Sequence, residues 1–223
     1  MPNNIPDYEK EFVVSIRKNL NEVLELLKSK DAGLVQKMRT FSSRFNFVIG
    51  EVEAKIKKDL MFRAFFTKDP AKQKIHENIA ARFIESLPNV HNFRQLGHAE
   101  LLVLRGGILT RKEYKKSGAT SKAKTIDFCW ETNKKIVYAS HKYTRASGGG
   151  QDNQYFDLQE FIREANESNL PKTYFLAIAD GDYYKMKDAT AGVSKSERLK
   201  RLANRRSVFS LSIGELERWL GRI

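Results

Sequence analysis

The sequence predicts an α/β protein, with a mixed central sheet flanked by helices and a helical region ahead of it. Three observations carry this. Over the first ninety or so residues the apolar positions recur at three- and four-residue steps, as on amphipathic helices. A hairpin-like pattern with period two follows. After the hairpin, helix-like runs alternate with strands, one of them almost wholly apolar, which suggests βα units.

Tyr8 to Ser29 reads as a helix on the spacing of Phe12, Val13, Ile16, Leu20, Val23, Leu24 and Leu27. A second helical run covers Phe47 to Phe66, with Val48, Val52, Ile56, Leu60 and Met61 on its apolar side. A third begins at Asp69-Pro70 and ends at Leu87; proline suits a first turn, and Pro88 stands just past the end. Glu100 to Leu104 reads as a buried strand stopped by Gly106-Gly107. Arg111 to Lys124 reads as a basic loop that includes Lys115 and Lys116, either a solvated linker or a phosphate contact. Strands follow at Lys124 to Thr132 and Lys135 to Thr144, then a glycine run, Ser147-Gly148-Gly149-Gly150. A helix from about Asp152 to Asn166, a strand from Thr173 to Ala179, and a basic helix from Ser194 to Asn204 come next. Ser207 to Ser212 is a final strand and Gly214 to Leu220 a final helix.

Composition narrows the function. The chain has 223 residues, 41% of them apolar, enough for a folded domain with a sizeable core. No apolar run approaches the ~18 residues of a membrane span. Met1-Pro2-Asn3-Asn4 lacks the basic and apolar regions of a secretory signal. The single cysteine, Cys129, excludes a disulfide framework and a cysteine-rich zinc site, and a reducing cytoplasm is the expected compartment. Forty Lys and Arg against 27 Asp and Glu give a formal charge of +13, which suits a polyanionic partner. Nucleic acid is the commonest; an anionic membrane surface or a ribosome-like partner has the same charge. The histidines show no HExxH spacing, and there is no Walker A motif and no GxSxG.

The hairpin carries the candidate chemistry. With Asn133-Lys134 as a two-residue turn, Thr132 pairs with Lys135, and Asp127 comes opposite Ser140. Ser140 and Lys142 share a face because strand side chains alternate. Asp127, Ser140 and Lys142 then form one polar cluster, within the ~5–7 Å of direct and diagonal neighbours. A strand carboxylate can hold a hard divalent cation, with the backbone carbonyl of His141 as a further oxygen ligand. A nearby ammonium can offset the charge that develops on a phosphoryl group. The same spacing also fits an ordinary cross-strand ion pair. Beyond the glycines, Gln151, Asp152, Asn153 and Gln154 open a helix; they suit base-edge contacts and equally suit helix capping. Arg205, Arg206 and the run from Lys195 to Arg201 can grip phosphates or form a solvated basic face.

Lys124-Thr-Ile-Asp-Phe128, Val137-Tyr-Ala-Ser-His-Lys-Tyr143 and Gly149-Gly-Gln-Asp-Asn-Gln154 together resemble type II restriction endonucleases of the PD-(D/E)XK superfamily. Phe175 to Gly181, Val208 to Leu211 and the helix bearing Glu215 and Leu216 look like the rest of that fold. The likeness covers roughly residues 72 to 223. It implies an α/β/α core at 71–223, Mg2+ dependence with no small-molecule cofactor, and a homodimer that cuts double-stranded DNA. Residues 1–70 are left to DNA gripping or dimerisation. By carry-over, Asp127 is the metal-binding acid and Lys142 the catalytic lysine. Two departures stand out: Ile126 replaces the proline, and Ser140 stands where the second acid belongs. Glu77, on the helix before the core, is the first choice for a substitute metal ligand. Asp157, Glu160 and Glu131 follow, and the Ser140 hydroxyl could instead hold a metal-bound water. The expected activity is site-specific, Mg2+-dependent cleavage of duplex DNA. A junction-resolvase-like nuclease on the same fold and a DNA-binding protein with a degenerate site are the rivals.

Overall fold

The computed structural model describes residues 5–69, 74–119, 122–145, 149–188 and 191–223, the side chains of 149–151 excepted. Two units divide it: Asp7–His76, and Glu77–Ile223 together with the segment that ends at Pro6.

The first unit is helical: α1 (Tyr8–Lys28), α2 (Ala32–Phe45), α3 (Ile49–Lys58) and α4 (Leu60–Ala64). Aspartates start three of the four. Asp7 accepts from Lys10 N at 3.0 Å, Asp31 from Leu34 N at 2.9 Å, and Asp59 from Met61 N at 2.9 Å. Val23, Leu34, Met38, Val52, Ile56 and Phe66 form the core. The single helix expected over Phe47 to Phe66 is thus two helices. Asp59 is extended there (φ −109°, ψ 114°) and caps the second. Helix α2 was not expected, although Leu34, Met38 and Phe41 fall on helical spacing.

The second unit takes in α5 (Ile75–Glu85) from Glu77 onward. The expected start at Asp69-Pro70 falls partly outside the described residues; Lys74, at φ 56°, precedes the first turn. A five-stranded sheet follows in the order β1 (His91–Gln95), β5 (Phe128–Thr132), β6 (Lys135–Tyr143), β7 (Thr173–Asp180), β8 (Val208–Leu211). The first three strands are antiparallel, whereas β6, β7 and β8 are parallel. Parallel neighbours need a crossover. Helix α7 (Gly149–Asn166) supplies one between β6 and β7, and α8 (Lys195–Leu202) one between β7 and β8. Their apolar faces, with Leu158, Phe161, Ile162 and Leu199, pack into one core with Phe175, Ala177 and Val208. Alternate residues point to the other face, where Phe128, Trp130, Val137, Ala139, Leu176 and Ile178 are sealed. Helix α9 (Ile213–Leu220) packs on β7. The fold is therefore mixed α/β, with a mixed sheet flanked by helices.

A smaller sheet has the order β3 (Gly107–Thr110), β2 (Leu101–Leu104), β4 (Lys124–Thr125). The strand expected over Lys124 to Thr132 is broken between the two sheets. Ile126 N still donates to Leu101 O, but Asp127 N donates to Ala139 O of β6. The chain changes partners at Asp127. The basic loop expected from Arg111 also needs correction: Arg111–Lys116 is helix α6, started by a capping box between Thr110 and Glu113. Strands β1 and β3 were not expected. Past β7, Gly181 sits at φ 101°, and a Cβ there would lie 2.1 Å from Thr144 O, so no larger residue fits without moving the chain. The 3-10 turn Asp182–Lys185 follows it.

Candidate active site

Asn133 and Lys134 both have positive φ, 45° and 63°, which is the two-residue turn that matches strand twist. It sets the register counted from the sequence, from Thr132 opposite Lys135 to Phe128 opposite Ala139. Asp127 comes just past the last pair. One of its carboxylate oxygens, Oδ2, accepts three bonds from consecutive residues of β6: Ser140 Oγ at 3.1 Å, His141 N at 2.8 Å and Lys142 Nζ at 3.4 Å. Among the described residues, Oδ1 has no partner. The side chains of Asp127 and Lys142 are 13% and 22% exposed, so the pair is largely desolvated yet open on one side. Ser140 and Lys142 pair with Ala177 and Ala179, small residues on the face that α7 covers. The carbonyl of His141 leaves the strand on the same edge as its amide, the edge that faces Asp127.

The other acidic candidates are held elsewhere. Glu77, half-buried on the first turn of α5, accepts from Gln95 Nε2 at 3.2 Å. Gln95 is opposite Phe128, and the next residue, Leu96, donates its amide to the carbonyl of Asp127. Glu77 is therefore tied to the strand beside Asp127. Asp157 pairs with Lys124 at 2.9 Å, Glu160 with Arg163, and Glu131 accepts from Asn92 at 3.0 Å. Among the described residues, no three of His, Cys, Asp or Glu converge as a metal-binding group.

Helix α7 starts at Gly149, three residues before the expected start, so Asp152 is inside the helix and does not cap it. Its carboxylate accepts from the hydroxyl of Tyr183. Burial, followed by that carboxylate, raises the Tyr183 phenol far above its ordinary range, so it stays a donor. Gln154 Oε1 accepts from Thr144 Oγ1 at 2.8 Å. Asn153 is exposed. The side chain of Gln151 and residues Ser147 and Gly148 lie outside the described residues. Lys115 and Lys116 are exposed on the last turn of α6. Arg205 Nε donates to Lys200 O at 3.2 Å, and Arg206 is exposed.

One pair escaped the sequence reading. His141 Nε2 lies 3.1 Å from Asp180 Oδ2, with side chains 2% and 6% exposed. Asp180 Oδ1 accepts from Ile213 N at 2.8 Å, the first amide of α9. The available signal was an aspartate closing an apolar strand, parallel to a strand with a histidine in its middle.

No family model matches this chain, and no curated protein matches it. Among solved structures, it is similar to protein VC1899 from Vibrio cholerae, at 12% identity and a TM-score of 0.30. That alignment covers 98% of this chain but only 56% of the other. Among the described residues, no helix is long and apolar enough to cross a membrane.

Proposed function

We propose that this protein is a Mg2+-dependent endonuclease that cuts double-stranded DNA at specific sites, on a core of the PD-(D/E)XK type. One observation carries the reading: Asp127, just ahead of β5, receives Ser140, His141 and Lys142 on one oxygen, and among the described residues its other oxygen is open. A helix, an antiparallel three-strand segment, a crossover helix and a parallel strand, in that order, support it. So does the charge of +13, which suits a duplex with one phosphate per ~1.7 Å of axis.

The donors fit magnesium in its sparse mode. Mg2+ takes oxygen ligands, keeps several waters, and often needs only one or two carboxylates plus substrate phosphate. Asp127 Oδ1 and the His141 carbonyl would hold it, with Glu77 as the further acid. When bound, the ion supplies Lewis acidity and a water of lowered pKa. The chain does the rest. Lys142 brings a positive charge beside the scissile phosphate, where negative charge grows in the transition state. The Ser140 hydroxyl and the His141 amide fix the far oxygen of Asp127. Asn153, at the start of α7, reads base edges, while Lys115, Lys116, Arg205 and Arg206 contact phosphates. A homodimer would carry one such site to each strand.

The test is incubation with phage DNA and Mg2+, read on a gel. Discrete bands support the reading. Cleavage confined to branched DNA would move it to a resolvase-like enzyme. A second reading, a DNA-binding protein with a degenerate site, is favoured by the serine where an acid belongs. It predicts a mobility shift and intact DNA.

A further inference from the structure

We propose that Asp180 is a positioning residue for this active site, acting through the imidazole of His141. The proposal rests on the nuclease reading above. His141 lies between Ser140 and Lys142, and its side chain leaves β6 on the opposite face of the sheet. There the ring meets Asp180 at 3.1 Å, with both side chains nearly sealed. The neighbours on that face, Ala139, Leu176 and Ile178, are apolar and fully buried. Well-packed apolar side chains in place of a buried polar pair are often neutral or stabilising, so stability alone does not account for the pair. Its use is orientation. Asp180 is itself fixed, because its second oxygen accepts the first amide of α9, where the helix carries partial positive charge. The carboxylate sets the ring so that Nε2 donates, and the ring resists rotation of the backbone at residue 141.

That backbone faces the site. The His141 amide makes the shortest of the three bonds to Asp127 Oδ2, at 2.8 Å. It holds that oxygen and so fixes the carboxylate that carries Oδ1, and it aims the His141 carbonyl along the same edge. Ser140 adds no charge, so the site depends on the exact aim of few donors. The contacts run without a gap from α9 through Asp180 and His141 to Asp127.

The variants are Asp180→Asn and His141→Phe, with Glu215→Gln as control. In Asp180→Asn the amide oxygen can still accept from Ile213 N, while a donor now confronts the ring. His141→Phe keeps ring volume beside Phe128, whose centroid is 6.0 Å away. Glu215→Gln loosens the same helix start, where Glu215 Oε2 accepts from Ser212 N, without touching His141. Mn2+ binding by the DNA-free protein is read by electron paramagnetic resonance, alongside kcat, KM for duplex, and Tm. Asp180→Asn and His141→Phe should each weaken Mn2+ binding and kcat about 10–100-fold. KM for duplex should stay within about twofold, since substrate binding is not what the clasp serves. Glu215→Gln should lower Tm and keep wild-type kcat and Mn2+ affinity. Wild-type Mn2+ affinity and kcat in Asp180→Asn overturn the proposal, leaving Asp180 as a helix cap. An equal loss in Glu215→Gln overturns it too. If the wild type binds Mn2+ but cuts no DNA, the nuclease reading fails and the Mn2+ comparison alone decides the clasp. If it binds no Mn2+, both fall.

Discussion

Thr144, one residue past β6, donates its hydroxyl to the amide oxygen of Gln154 on α7 at 2.8 Å. This changes the expectation for base reading. A bidentate contact to adenine uses both the oxygen and the nitrogen of an amide, and the bond from Thr144 takes one lone pair of the Gln154 oxygen and restrains its side chain. Asn153 is exposed beside it. Asn153→Ala should therefore lower the preference for cognate over random duplex by ~1–3 kcal/mol. Gln154→Ala should leave that ratio alone and cost about 1 kcal/mol of stability. Lys115→Ala or Arg206→Ala should weaken both duplexes alike and reduce the salt slope by about one. Titrations on both duplexes at two salt concentrations check all three. An unchanged ratio in Asn153→Ala would send sequence reading elsewhere in the chain.

Under the nuclease reading the Lys142 ammonium acts mainly on the transition state, so Lys142→Ala should abolish cleavage while cognate binding persists. Single-turnover rates measure this. A variant that keeps more than about a tenth of the wild-type rate, equivalent to ~1.4 kcal/mol of barrier, would take Lys142 out of the chemistry.

The hairpin behind these predictions was legible because its turn and its alternation agree: a two-residue turn fixes the register, and the register fixes which residues meet. The apolar runs behind α1, β7 and α7 were legible for the same reason of periodicity. Strand β1, His91-Asn-Phe-Arg-Gln95, was not. It is an edge strand with four exposed residues of five, so burial left no mark on its sequence. The break at Asp127 was hidden too, since one β-rich stretch serves two sheets. Asp180 was missed because its partner lies 39 residues away and the contact exists only once β6 and β7 run parallel.

The acids can be separated by neutralising them one at a time. Under the nuclease reading, Asp127→Asn should lose Mg2+-dependent cleavage, since an amide binds a hard cation poorly and its NH2 would face the donors of β6. Of Glu77→Gln, Asp157→Asn and Glu160→Gln, the first should match it. Asp157 and Glu160 are paired with Lys124 and Arg163, whereas Glu77 accepts from Gln95, whose strand lies beside Asp127. Mg2+ dependence of the cleavage rate is the measurement. Full activity in Glu77→Gln would transfer the role to another acid, and full activity in all three variants would hand it to Ser140 and water.

Glu215 should give stability a dependence on acid. Burial works to raise its pKa, but Lys200 at 2.7 Å and Ser212 donate to it and outweigh that, so the pKa is lowered. Its contribution is complete above the ordinary carboxylate pKa and is lost as pH falls through the lower folded value. The Tm difference between wild type and Glu215→Gln should therefore be largest near neutrality and shrink below about pH 4. A difference that stays constant with pH would mean the carboxylate's charge plays no part.

The bare backbone at Gly181 lets the chain after β7 pass against Thr144, whose carbonyl accepts from Tyr183 N at 3.2 Å and whose amide donates to Asp180 O at 2.8 Å. Thr144 thus belongs to one knot with β6, β7 and α7, and it stands two residues from Lys142. Under the nuclease reading, a mismatched duplex that pushes on the start of α7 would pull on the strand that carries the lysine. Wrong sequences would then be rejected as much by slow turnover on bound DNA as by weak binding. A variant that slackens the knot, such as Thr144→Val, would trade fidelity for tolerance rather than simply losing speed.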